Sequence, residues 1–306
     1  MFKLKSIEIE NLFNLYNYNI KLNDDVNFMY GKNGCGKTTI LNIIEFALKG
    51  DFKNLLKYEF KKIKFIYFDV YKKDILKELV IIKDKKIFVI FDKAKYSFNN
   101  IIFYNSKDTL TINEYQEKER LKNLKLKIEK EFNYNYPILK RELLIEIDKL
   151  IDELVLDLHN IYNIYEKNTN SRRENNIEVN EIDKYISIIN DFIYDSEIGK
   201  KLVINRNGKI VFLIKGSSEQ IDINKLSSGE KQLLIIFYKL IFSYKKSIPI
   251  FIIDEPELSF HLIWQKVFIE NILKIREDIQ IIVATHSPEI INRYRNKMIK
   301  LSNSKV

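Results

Sequence analysis

The octapeptide Gly31-Lys32-Asn33-Gly34-Cys35-Gly36-Lys37-Thr38 constrains this chain more than any other stretch, because it lies between a short apolar run, Val26–Tyr30, and a helical segment. It fits the pattern Gly-x4-Gly-Lys-Thr, in the strand-then-helix context that gives the pattern meaning. Glycines let successive backbone N–H groups curl around phosphate oxygens, and the helix N-terminus adds positive potential. Lys37 then reaches the β- and γ-phosphates, and the Thr38 hydroxyl ligates Mg²⁺. The expected nucleotide-binding residues are Asn33, Gly34, Cys35, Gly36, Lys37, Thr38 and Thr39. A loop of this kind commits the chain to an α/β architecture.

Three later segments have the chemistry to complete such a site. Leu226-Ser227-Ser228-Gly229-Glu230 precedes an apolar helix, Gln232–Phe242. Read alone it is a helix start, with Ser227 and Glu230 forming a capping box. A helix N-terminus with a free serine also suits a γ-phosphate from a facing subunit. Phe251-Ile252-Ile253-Asp254-Glu255-Pro256 is an apolar strand ending in paired carboxylates. Such pairs also occur in buried ion pairs. At this spot Asp254 is placed to hold Mg²⁺ through water, and Glu255 to orient or deprotonate an attacking water. Ile281–Pro288 is another buried strand, ending in Thr285-His286-Ser287. Its interval from the carboxylates is that of the next parallel strand, so the His286 imidazole faces the γ-phosphate. His159 reads as a helical surface residue, and His261 falls in the turn Glu257–His261.

Between the loop and these motifs, Ile63–Val70, Leu79–Ile82 and Ile87–Phe91 are β-branched and aromatic, which predicts an antiparallel sheet beside the nucleotide site. From about residue 113 the period changes. Leu121, Leu124, Ile128 and Phe132, then Leu143, Ile147, Leu150, Leu154, Leu158 and Ile161, recur at three and four. The turn Asn133–Pro137 joins them into an antiparallel helical hairpin, with Tyr134 and Tyr136 at its tip. Its second helix, from Ile138 to about Glu166, should be on the order of 40 Å long, long enough to act as a docking arm rather than a lid. After a polar connection, Asn168–Asn176, a helix (Glu181–Ile193) and two strands (Leu202–Asn205, Ile210–Ile214) lead back to the motifs. The expected organisation is an ATPase lobe at 1–112, a hairpin insertion and linker at 113–177, and a second lobe at 178–306.

No apolar run approaches the roughly 20 residues needed to span a bilayer, and the first residues lack a signal-peptide core, so a cytoplasmic protein without membrane contact is expected. One cysteine, Cys35, cannot form an internal disulfide or a cysteine metal cluster, which leaves oxygen ligands for any metal. The net charge of +9 suggests DNA or RNA as a partner. Abundant Lys, Asn, Ile and Tyr also follow from AT-rich coding, so charge alone leaves both readings open.

The four motifs in this order resemble those of ABC-type ATPases of the SMC, RecF and OLD-like AAA branch, over residues 1–110 and 178–306. The resemblance implies an ABC-type P-loop fold with ATP and Mg²⁺ as cofactors. It assigns catalytic roles to Glu255, His286 and Lys37 and metal contacts to Thr38 and Asp254. It also implies a homodimer, or a higher oligomer, closed through the ATP sites, in which Ser227 and Gly229 meet the other protomer's nucleotide. The string from Asp254 to Gln265 is similar to that of small ATP-binding proteins of prokaryotic phage-defence systems, implying an ATP-controlled sensor or scaffold for a separately encoded effector. Two departures matter. No glutamine lies between the loop and Gln116, which argues against a transporter subunit. Twenty residues follow His286, too few for an appended TOPRIM nuclease domain, so nuclease activity is expected in a partner. A DNA-maintenance ATPase and a nucleotide-locked scaffold with little turnover remain the alternatives.

Overall fold

The computed structural model describes residues 2–84, 86–91, 93–99, 112–132, 150–158, 177–193, 199–205, 210–243, 250–258, 260–301 and 304–305. Strands β1 (Phe2–Leu12), β2 (Tyr16–Lys21) and β3 (Val26–Tyr30) lead into helix α1 (Lys37–Leu48) and the short α2 (Phe52–Leu55). Then come β4 (Lys62–Asp69), β5 (Lys72–Lys83), β6 (Lys86–Phe91), β7 (Ala94–Asn99), α3 (Ile112–Phe132), α4 (150–158) and α5 (Ile177–Ile193). The second half holds β8 (Lys200–Ile204), β9 (Ile210–Ile214), β10 (Gln220–Ile221), α6 (Ser228–Tyr238), β11 (Ile250–Asp254), α7 (Leu262–Ile275), β12 (Gln280–Ala284), α8 (Pro288–Ile291), β13 (Met298–Lys300) and β14 (Ser304–Lys305).

These strands form three sheets. Seven pair antiparallel in the order β14-β2-β1-β4-β5-β6-β7, three in the order β10-β9-β8, and four, all parallel, in the order β11-β12-β3-β13. In β1 the buried positions switch from Phe2 and Leu4 to Ile7 and Ile9, and switch again at Leu12. A bulge against β4 between Leu4 and Ser6 accounts for the first switch and a register shift against β2 between Ile9 and Leu12 for the second, since one extra residue inverts a period-2 pattern.

The parallel sheet is a wall between two hydrophobic cores. Met29, Ile250, Ile252, Ile282 and Ala284 face a core shared with α1, α3 and the seven-stranded sheet. Val26, Phe28, Phe251, Ile253, Ile281 and Val283 face the other, shared with α4, α5, α6 and α7. Strands covered on both faces are apolar on both, which is why β3, β11 and β12 read as near-continuous apolar runs, interrupted by the buried Asn27 in β3, opened by Gln280 in β12 and closed by Asp254 in β11. Burying each Ile or Phe in them contributes about 1.5–3 kcal/mol.

Of the two helices expected for the hairpin, the first is described in full and the second only at 150–158. In α3, Leu124, Ile128 and Phe132 pack into the first core, with Phe132 against Tyr67, Phe2 and Phe91. In α4, Ile151, Leu154 and Leu158 pack into the second. The tip, the rest of the second helix, the polar connection and His159 lie outside the described residues. The antiparallel strands are longer than the sequence predicts: β5 begins at Lys72 rather than Leu79, and β7 adds a further strand. The helix expected at Gln232–Phe242 instead starts at Ser228 and passes at Lys239–Ser243 into a π-helical turn. Among the described residues no helix is long and apolar enough to cross a membrane.

Candidate functional site

Pairing fixes the geometry of one sheet edge. Asp254 stands opposite Ala284, and Ala284 opposite Met29, so the ends of β11, β12 and β3 form one row with about 4.8 Å between strands. The glycine loop leaves β3 after Tyr30, the paired carboxylates close β11, and Thr285-His286 follows β12. Three of the four expected groups thus meet at the carboxyl edge of a parallel sheet, where the strand ends and helix N-termini of such folds converge.

Gly34 and Gly36 adopt left-handed backbone, with φ of +79° and +89°, which side chains on Cβ disfavour. Gly36 is the N-cap of α1 and offers no side chain to it. The first N–H groups of α1, from Lys37 to Thr39, therefore have no side-chain cap, the arrangement that accepts a phosphate. Lys37 is buried and its Nζ donates to the Gly31 carbonyl at 3.2 Å, across the loop's own curl. The Tyr18 hydroxyl donates to the Cys35 carbonyl at 3.1 Å and turns that oxygen toward β2. The Thr38 side chain is exposed at the mouth. These features fit a nucleotide triphosphate and its cation.

Glu255 has φ +50°, an uncommon conformation for a residue with Cβ, and its N–H donates to the Ala284 carbonyl at 2.8 Å. Strain of about 1–3 kcal/mol is characteristic of sites where side-chain direction matters more than local stability. Two residues on, the Glu257 carboxylate accepts from the Thr285 hydroxyl at 2.8 Å and the His286 N–H at 2.6 Å. The Ser287 hydroxyl donates to Gln265 Oε1 at 2.6 Å, and Gln265 Nε2 donates to the Phe260 carbonyl at 2.8 Å. The His286 side chain is exposed at the end of this framework. Sequence reasoning missed Glu257, Thr285, Gln265 and Ser287. The available signals were a third carboxylate just past the pair and the hydroxyls flanking His286.

The signature segment stands apart. Among the described residues no hydrogen bond joins Ser227 or Gly229 to the loop. Ser227 caps α6: its Oγ accepts from the Glu230 N–H at 3.3 Å, while its own N–H and hydroxyl donate to Glu230 Oε2, each at 2.8 Å. Lys200 Nζ lies 2.8 Å from the other carboxylate oxygen. Burial pushes the Glu230 carboxyl up, but the Lys200 and Ser227 hydrogen bonds outweigh it and hold it below its ordinary value. Ser227 and Ser228 are exposed while the body of α6 is buried, so the helix presents its N-terminus outward.

A glycine loop at the carboxyl edge of a parallel sheet, with a carboxylate-ended strand two places away, defines a P-loop nucleotide-binding protein. Residues 26–292 match the family described as "AAA domain, putative AbiEii toxin, Type IV TA system". The chain belongs to that family and is an AAA-type ATPase domain. It is 27% identical over 342 residues to Endonuclease GajA of Bacillus cereus (strain VD045), covering 96% of this chain and 57% of that protein. It is 27% identical over 231 residues to Retron Vc95 probable ATPase of Vibrio cholerae serotype O1 biovar El Tor, covering 69% of this chain and 42% of that protein. The chain thus spans about half the length of these relatives. Among solved structures it is similar to an SMC head bound to the C-winged helix domain of ScpA, with a TM-score of 0.56, 15% identity and coverage of 99% and 96% of the two chains. The SMC head domain from Thermotoga maritima gives 0.53, 14%, 99% and 98%. The fold is the SMC-head type of ABC P-loop fold.

Proposed function

We propose that this chain is a Mg²⁺-dependent ATP hydrolase that works as an ATP-sandwiched homodimer, in the cytoplasm, as the ATP-controlled sensor or scaffold of an antiviral defence system with a separately encoded effector. The observation that carries the hydrolase reading is the meeting of the loop, Asp254-Glu255 and His286 at one sheet edge. Residues Asn33 to Thr39 hold the phosphates, with Lys37 on the β- and γ-groups. Thr38 and Asp254 hold Mg²⁺, which when bound offsets phosphate charge. Glu255 accepts the proton of the attacking water, and Lys37 and His286 meet charge that develops on the γ-phosphate.

The outward N-terminus of α6 supports the dimer: Ser227 and Gly229 of the partner subunit complete the site from the other side. The defence role draws on the Asp254–Gln265 string and on relatives named as an endonuclease and a retron ATPase. Lobes at 1–112 and 178–306 with an insertion at 113–177 fit this reading, the insertion serving to reach the effector.

Ser227→Arg tests the trans site: turnover should fall to background while one protomer still binds ATP with wild-type affinity, measured by phosphate release and equilibrium titration. Normal turnover in that variant would sink the sandwich. The charge of +9 favours a second reading, a DNA-maintenance ATPase, for which duplex binding must weaken steeply with salt. ATP held with negligible phosphate release in wild type would instead mark a nucleotide-locked scaffold.

A further inference from the structure

Glu257 has no assignment in the phosphate chemistry above, yet it is the hub of the polar network at the site. Its two carboxylate oxygens are divided: one accepts the Thr285 hydroxyl and the other the His286 N–H. Thr285 is fully buried, and its Oγ1 also accepts the Ser287 N–H at 2.9 Å. The Ser287 hydroxyl continues to Gln265, whose amide returns to the Phe260 and Glu257 carbonyls at 2.8 and 3.4 Å. The circuit closes on the residue where it began. It ties the turn carrying Glu255 to the turn carrying His286, two segments that otherwise meet through the pairing of β11 with β12 and the Glu255 N–H bond to Ala284.

We propose that Glu257 is the positioning residue of His286, fixing the backbone from which the imidazole projects and holding it at constant spacing from Glu255. The inference rests on the hydrolase reading given above. A carboxylate suits the role because both donors need acceptors. A glutamine at 257 accepts from one of them and turns an NH₂ toward the other. An alanine leaves the exposed His286 N–H and the hydroxyl of the buried Thr285 without this partner.

The test compares Glu257→Ala, Glu257→Gln, Thr285→Val and Thr285→Ser in the full chain by ATP titration, kcat and KM, with Glu255→Gln as control. Glu257→Ala should lower kcat about 10- to 100-fold, as expected for losing the two hydrogen bonds that hold the His286 backbone, while ATP affinity stays within about twofold. Glu257→Gln, which keeps one of the two acceptors, should recover only part of that loss. Thr285→Val should follow Glu257→Ala, whereas Thr285→Ser, which keeps the hydroxyl, should stay near wild type. Amide exchange at His286 should be slow in wild type and fast in Glu257→Ala, a change that a remote packing defect does not produce. Wild-type kcat in Glu257→Ala, or loss of ATP affinity in step with kcat, overturns the proposal. If Glu257→Ala does not fold, the two Thr285 variants decide, and equal kcat in both overturns it. A wild-type protein that releases no phosphate removes the hydrolase reading itself, whereas a Glu255→Gln protein with wild-type turnover places the base elsewhere. A dead Glu255→Gln with a normal Glu257→Ala removes only the role of Glu257.

Discussion

At the scale of the residue, each nucleotide group is expected to fail in its own way. Glu255→Gln keeps size and hydrogen bonding but removes the basic carboxylate, so ATP binding should survive and the chemical step should slow by at least about 100-fold. The closed dimer should then accumulate in Mg-ATP. Lys37→Ala removes the cation whose Nζ now rests on the Gly31 carbonyl, so affinity should fall and closure should not occur. ATP retention and particle mass, measured for both, separate the two outcomes; wild-type turnover in Glu255→Gln places the base elsewhere. Sequence gave access to these residues because each sits in a local pattern, an apolar run ending in a chemically distinctive group. The φ of +50° at Glu255 was not legible, since it depends on the contact with Ala284 on another strand.

At the scale of the element, α6 illustrates how a helix start serves stability and exposure together. The capping box is readable from Ser227 and Glu230 alone. The ion pair with Lys200 is not, because it depends on where β8 lies. Its pH dependence has a definite sign: the folded Glu230 carboxyl titrates below its ordinary value of 4.5. Its contribution is therefore complete above that value and disappears as pH falls through the folded one. Glu230→Gln should cost about 1–3 kcal/mol at pH 7 and less at pH 4, read from denaturant unfolding of both proteins at each pH. A gap that does not change with pH would show that the ion pair contributes nothing. Strand β2 escaped the sequence reading because Tyr-Asn-Tyr-Asn alternates with a residue that strands disfavour; its pairing with β1 overrides that preference.

At the scale of the whole molecule, one side chain joins the two large sheets. β2 pairs with β1 only from Ser6 onward, and the edge left at Leu4 is filled by the Gln280 amide. That amide accepts from the Leu4 N–H at 2.9 Å and donates to the Leu4 and Asn23 carbonyls, each at 2.7 Å. Gln280→Leu keeps the bulk and strands three buried or half-buried groups, so stability should fall by about 3 kcal/mol with the denaturant slope unchanged. A midpoint equal to wild type would show that water takes the amide's place. No local pattern marks Gln280, because its partners are 276 and 257 residues away. The same distance hid the sheet order, whereas the apolar runs that build it were plain.

The wall between the cores also sets an order of events during synthesis. Among the described residues β3, from which the phosphate-binding loop hangs, pairs only with β12 and β13. Val26 waits for Ile281, and Phe28 for Met298. A nascent chain therefore carries Val-Asn-Phe-Met-Tyr as an unpaired apolar strand while some 250 residues are added behind it. The loop reaches the ribosome exit early, but the strand it hangs from gains its neighbours late. On this topology the strand that carries the loop finds its partners only once the chain has been made through Lys300, so the sheet beneath the site cannot assemble while those residues are still missing.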